Sequence, residues 1–257
     1  MSALSLGELG VDPDGVSTRE VFDHTYSGYR ALWRYLGALS LAVAVVVVVF
    51  TILLVAAMGM IGVYAAVVLS VVASFWAVGL LVQTIDDLHE DDEPETSLRA
   101  RFARFWPHVN RVSAAALLLS LLFAPGWLLM ASGHAALGAL LVLVGVVVGP
   151  WFVLAVPLVV IEGCGVGDAF AESRQAVAGN ALKVFWVLFV LGFLTGIVAN
   201  LLEGVAVSVT DSWALALILS GVFDAVVTTP LMALALIAIY QALRQPAAPP
   251  TGAPAAA

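Results

Sequence analysis

Polar and apolar residues in this chain are sorted into long blocks rather than short periods. Predominantly apolar runs occupy about 38–57, 62–83, 112–131, 136–161, 183–203 and 214–241. Each is close to the roughly 20 residues with which an α-helix crosses about 30 Å of hydrocarbon. A run such as ALSLAVAVVVVVFTILLVAAM shows no polar alternation, so the strands of a transmembrane barrel are excluded. The expected fold is an all-α integral membrane protein of six transmembrane helices, arranged as three hairpins.

The polar blocks between the hairpins have a pattern of their own. Ser17-Thr18-Arg19-Glu20 reads as a capping box opening an amphipathic helix, with Phe22, Tyr26, Tyr29, Trp33 and Leu36 along one stripe. Ser97 to Trp106 sets Leu98, Phe102 and Phe105 on one side, with Arg99, Arg101 and Arg104 around the other, and stops at Pro107. In PLVVIEGCGVGDAFAESRQAVAGNALK an apolar run ends at Glu162, glycines loosen the chain, and a short polar helix begins with Asp168 as its cap. Each hairpin is thus expected to hang from an interfacial amphipathic helix. Superposing Phe22, Leu98 and Phe170 gives a period of roughly 75 residues, with Arg34, Arg111 and Lys183 at matching places. Pro125-Gly126 is expected to bend the third span, and Pro150 and Pro157 the fourth.

Composition agrees with membrane embedding: hydrophobic residues make up 62% of the chain, charged residues 11%, and the mean hydropathy is +1.07. A soluble domain has no means of covering so much apolar surface. The net charge of −8 comes largely from Glu8 to Asp23 and from the acidic run Asp86 to Glu95. All ten basic residues fall on one side of a six-span arrangement, so the positive-inside rule places both termini in the cytoplasm of a bacterial membrane. Nine arginines against one lysine fit a GC-rich bacterial genome. The polar, acidic first 30 residues do not read as a signal peptide. Residues 1–16 and 245–257 read as disordered tails flanking one membrane domain, 17–244.

Candidate chemistry is sparse. Asp224 stands alone among the ionisable residues placed inside the bilayer, where a charge costs on the order of 3 kcal/mol, and it is expected to be protonated, hydrogen-bonded to Ser220 or Thr228, or facing a small wet cavity. It is a candidate ligand-binding residue, as is Glu162 at the elbow. Arg99, Arg101, Arg104, Arg111, Arg174 and Lys183 are candidates for contact with anionic lipid headgroups, each worth about 1 kcal/mol near the surface. Gly165-Val166-Gly167-Asp168 matches the GxGD string of intramembrane aspartyl proteases, but the partner Tyr-Asp motif is lacking and an N-cap accounts for Asp168. Four scattered histidines and the lone Cys164 give no metal-ligand spacing, so neither metal nor cofactor is expected. Gly145 to Gly149 and Gly192 to Gly196 are GxxxG pairs suited to close helix packing. No nucleophile, base and stabiliser meet at one depth, and no catalytic residue is assigned.

Glu162, Gly163, Ser173, Arg174, Gly179, Asn180, Tyr240, Leu243 and Arg244 form a pattern over about 150–244 that resembles a bacterial family. This is the six-helix membrane domain attached to some glycerophosphodiester phosphodiesterases and also found alone. The resemblance implies a fold and a membrane address. It brings no enzymatic activity, since no soluble phosphodiesterase domain accompanies it. The expected function is that of a non-catalytic integral membrane protein interacting with the lipid bilayer, a membrane protein partner or a second copy of itself, and not with nucleic acid. Two alternatives stay open: a small transporter or channel component using Asp224, and a lipid-acting membrane enzyme.

Overall fold

The structure is a computed structural model describing residues 17–90, 98–210 and 219–244. The expected tails, the acidic stretch 91–97 and residues 211–218, which include the expected start of the sixth span, lie outside the described residues. Among the described residues every element is helical. In chain order these are α1 (Thr18–Met58), α2 (Met60–Glu90), α3 (Leu98–Phe105), α4 (Val109–Ser120), α5 (Ala124–Ala131), α6 (Ala135–Val148), α7 (Ala155–Ile161), α8 (Val166–Val177) and α9 (Ala181–Thr210). The last helix, α10 (Leu219–Arg244), contains a π-helical turn at Asp224–Thr228.

Five segments are long and apolar enough to cross a membrane, Thr18–Met58, Ala65–Leu88, Ala135–Ile161, Ala181–Val209 and Leu219–Arg244. A sixth is counted if α4 and α5, which meet at a 50° bend, form one span. The bend has the expected cause: Pro125 sits in the first turn of α5, where it cannot continue the ladder of α4. Pro150 acts similarly in a short 3₁₀ turn, Gly149–Phe152, between α6 and α7, whereas Pro157 is absorbed in the first turn of α7.

The elbows differ from one another more than a threefold repeat implies. The first is no separate surface helix: α1 runs unbroken for 41 residues, because no proline interrupts Tyr29 to Leu39 and Leu36 and Leu39 bury as fully as Val21. At its start Ser17 Oγ lies 3.5 Å from the Glu20 amide. The second, α3, passes into α4 through a 3₁₀ turn, Trp106–His108. Only the third, α8, is set off at both ends, by Gly163 and Gly179 at φ of 66° and 88°. α2 also continues through Glu90, so the acidic run begins on a helix rather than in a loop.

One core joins α1, α2, α7, α8, α9 and α10 around Leu36, Leu80, Leu158, Val184 and Ile239. The outer halves of α1 and α2 and most of α5, α6 and α9 leave their apolar side chains exposed, as lipid contact requires. At Gly133 (φ 91°) the α5–α6 turn closes with His134 N–H donating to Leu129 O at 2.9 Å and Gly133 N–H to Met130 O at 3.2 Å.

Candidate functional site

Two polar clusters stand out, one at the elbow end of the bundle and one in α10. The elbow cluster starts from chain geometry. α7 stops at Ile161, Gly163 takes a left-handed conformation, and the Cys164 amide folds back toward Leu158 O at 3.4 Å. This leaves the Gly163 carbonyl outward, where Arg111 Nη1 donates to it at 2.7 Å. The same turn aims Glu162 at the last turn of α10. Tyr240 OH donates to Glu162 Oε1 at 2.8 Å, and Arg244 Nη2 lies 2.7 Å from the same carboxylate. Arg244 Nη2 also reaches Glu172 Oε2 of α8 at 2.8 Å.

Arg244 therefore bridges two carboxylates and clamps α7, α8 and α10 together. Ser173, fully buried on α8, completes the fastening. Its Oγ accepts from Leu154 N–H at 3.1 Å and donates to Trp151 O at 2.9 Å, serving backbone groups left over where the 3₁₀ turn gives way to α7. Glu172 had no sequence signal beyond its ten-residue spacing from Glu162. Its role follows only once α8 folds back beside α10.

Asp168 does not cap α8. Gly165 does so, in extended conformation, and Asp168 lies in the first turn with its carboxylate folded over Gly165. Glu162, Cys164 and Glu172 bring potential ligand atoms within 4.8 Å of one another. The guanidinium of Arg244 already occupies the space between the carboxylates, and Cys164 is held in its protonated form. Burial raises the thiol pKa most, followed by Glu172, Glu162 and Asp168. The carboxylates of this set are thus already paired with Arg244. Alkylation of Cys164 at pH 7.5 should accordingly run several-fold slower than that of an unperturbed cysteine thiol and accelerate in Glu172→Gln, as timed maleimide labelling would measure.

The basic candidates divide by environment. Arg99 and Arg174 are exposed. Arg104 pairs with Asp87 of α2 at 3.3 Å, and Arg111 is spent on Gly163. Lys183 is half-buried at the start of α9. Arg101 is buried, against the expectation that it share the outward arc of α3. The helix turns its Arg101–Phe105 edge inward, and Phe102 is 42% exposed. Phe105 fits where Gly79 of α2 leaves room, and that fit fixes the rotation.

The second cluster follows from a proline. Pro230 has no amide to give, and Thr229 N–H bonds to Asp224 O, five residues back. The carbonyls of Ala225 and Val226 lose their helical donors. Both are served from α1, by Ser40 Oγ and by Tyr29 OH, the latter at 3.2 Å. Gly37 lets α1 come close enough, since a Cβ there would lie 3.2 Å from Val226 Cγ1. Asp224 begins the π turn with its carboxylate exposed and accepts from Thr228 Oγ1 at 3.0 Å.

Fold and clusters together define a polytopic all-α protein fit for membrane embedding. Comparison with protein-family models, curated proteins and solved structures finds no match.

Proposed function

We propose that the chain is a non-catalytic integral membrane protein whose elbow end engages anionic lipid headgroups, with both termini on the cytoplasmic side of a bacterial membrane. One observation supports this most strongly. Hydrogen bonds and ion pairs link α2 to α3, α4 to the α7–α8 turn, and α8 to α10, gathering the cations of the second and third elbows at one end of an apolar bundle. The acids Glu162 and Glu172 at that end are turned onto Arg244, which leaves Arg99 and Arg174 facing outward. The resemblance to the phosphodiesterase-associated membrane domain, carried by Glu162, Ser173, Tyr240 and Arg244, accords with a structural membrane module.

Native mass spectrometry after extraction in mild detergent provides the test. Anionic phospholipid should be retained in preference to zwitterionic lipid, with retention falling in the Arg99→Gln/Arg174→Gln double variant. Equal retention of both lipid classes would count against the reading.

The π turn favours a second reading, since such turns recur at functional sites. In a transporter component using Asp224, Asp224→Asn would abolish a pH-dependent flux in proteoliposomes without loss of folded protein. Unchanged flux would dismiss it.

A further inference from the structure

Of the basic residues at the elbow end, Arg101 is the one whose surroundings leave it incomplete. It is 4% exposed, and its Nε and Nη1 are buried with no hydrogen-bond partner. Among the described residues no carboxylate lies within 4.0 Å of it, and neighbouring Asp87 is taken by Arg104. Its defined contact is Tyr35, whose ring face lies 5.0 Å from Cζ and whose hydroxyl is near enough to interact with the guanidinium without meeting hydrogen-bond geometry. A ring face attracts the charge but supplies no in-plane acceptor to the guanidinium fork. Arginine has no neutral form to retreat to, so a buried guanidinium without an acceptor is strongly disfavoured.

Depth and neighbours indicate what completes it. Tyr35 on α1 and Gln83 on α2 are each 24 residues from the turn at Gly59. At 1.5 Å per residue that is roughly 36 Å of helix, longer than the about 30 Å of hydrocarbon. Tyr35 OH and Gln83 Oε1 are themselves buried and unpartnered. Phe102 on α3 and Trp106 in the 3₁₀ turn that follows it are exposed, apolar flanks suited to the glycerol and upper acyl region.

We propose that Arg101 forms the floor of a single phosphate site, filled by one phospholipid headgroup of the leaflet at the elbow end. The guanidinium fork grips the phosphate oxygens, with Tyr35 OH in a position to donate to the same group. This rests on the reading that the elbow end meets anionic headgroups, and it narrows that reading to one stoichiometric lipid.

The full chain, delipidated in detergent, is to be titrated with phosphatidylglycerol, with phosphatidylcholine and with inorganic phosphate, following native mass spectra and the thermal midpoint. Wild type should take up one tightly held phosphatidylglycerol and gain thermal stability from it. Arg101→Met should be more heat-stable than wild type without lipid, because the uncompensated charge is gone, and should bind phosphatidylglycerol about tenfold or more weakly. If Arg101→Met fails to fold, Arg101→Lys, which keeps the charge and loses the fork, should weaken binding several-fold.

Phosphatidylglycerol binding unchanged in the Arg101 variants but reduced in Arg99→Gln/Arg174→Gln overturns the site and leaves the wider reading standing. Absence of preferential anionic-lipid uptake by wild type overturns both. Inorganic phosphate competing at equal concentration would overturn the lipid as its source.

Discussion

Gly138→Ala is expected to destabilise the protein by roughly 3 kcal/mol, at the upper end of overpacking costs, because the atoms in the way are mostly backbone. A Cβ at Gly138 would lie 2.6 Å from Gly126 O and 2.7 Å from Met130 N, and one at Gly126 would lie 2.8 Å from Gly138 O. Neither helix of the α5–α6 hairpin can yield without parting from the other, and a Cβ at Gly145 would lie 2.9 Å from Leu122 O further along the same seam. Gly126→Ala should cost about as much. Gly196→Ala is the matched control, since nothing lies within 4 Å of a Cβ there, and its thermal midpoint should stay near wild type or rise slightly. Thermal unfolding in detergent would measure all three, and a Gly138→Ala protein as stable as Gly196→Ala would show that the hairpin is not packed this closely.

The second large effect is expected where α1 serves the π turn. Ser40→Ala leaves the Ala225 carbonyl without a donor and Tyr29→Phe leaves that of Val226. Each orphaned buried carbonyl costs about 1–3 kcal/mol, so the double variant should lose roughly 3 kcal/mol. Pro230→Ala returns an amide to the helix, and in that background the loss from Ser40→Ala and Tyr29→Phe should shrink to well under half. A double-mutant cycle isolates this coupling. Equal losses in the presence and absence of the proline would mean that the hydroxyls do not compensate for it.

Much of the architecture was legible because hydrocarbon thickness imposes a length on apolar runs. The places of the long apolar helices, the bend before Pro125 and the glycine-bounded elbow around α8 all follow from local residues. Rotation about a helix axis does not. The sequence pattern of α3 sets Phe102 on one side with Phe105, and Arg101 on the other, yet the space opposite Gly79 accepts Phe105 and carries Arg101 in with it. Spacing along one helix locates close packing only in part. Of the two GxxxG pairs only Gly145 is crowded, and the tight seam runs through Gly126 and Gly138, which face each other across a turn rather than along one helix. Asp224 was conspicuous as an acid in an apolar run. The π turn beside it arises from Pro230 six residues later and from hydroxyls nearly two hundred residues earlier, a relation no local window contains.

The elbow clamp falls between these cases. Glu162, Tyr240 and Arg244 were marked by their pattern, but the shared guanidinium that joins Glu162 to Glu172 emerges only when the end of α10 returns to α8.

The proposed topology sets the hairpin turns on one side of a membrane and the elbow clamp on the other, facing the cytoplasm. In a Cys164→Ser background, single cysteines at Met58, Ser132 and Arg174 would be exposed to a membrane-impermeant maleimide in intact cells and again after lysis. Labelling at 58 and 132 before lysis, and at 174 only after it, is the predicted result; labelling at 174 in intact cells, or 58 and 132 falling on opposite sides, would contradict it.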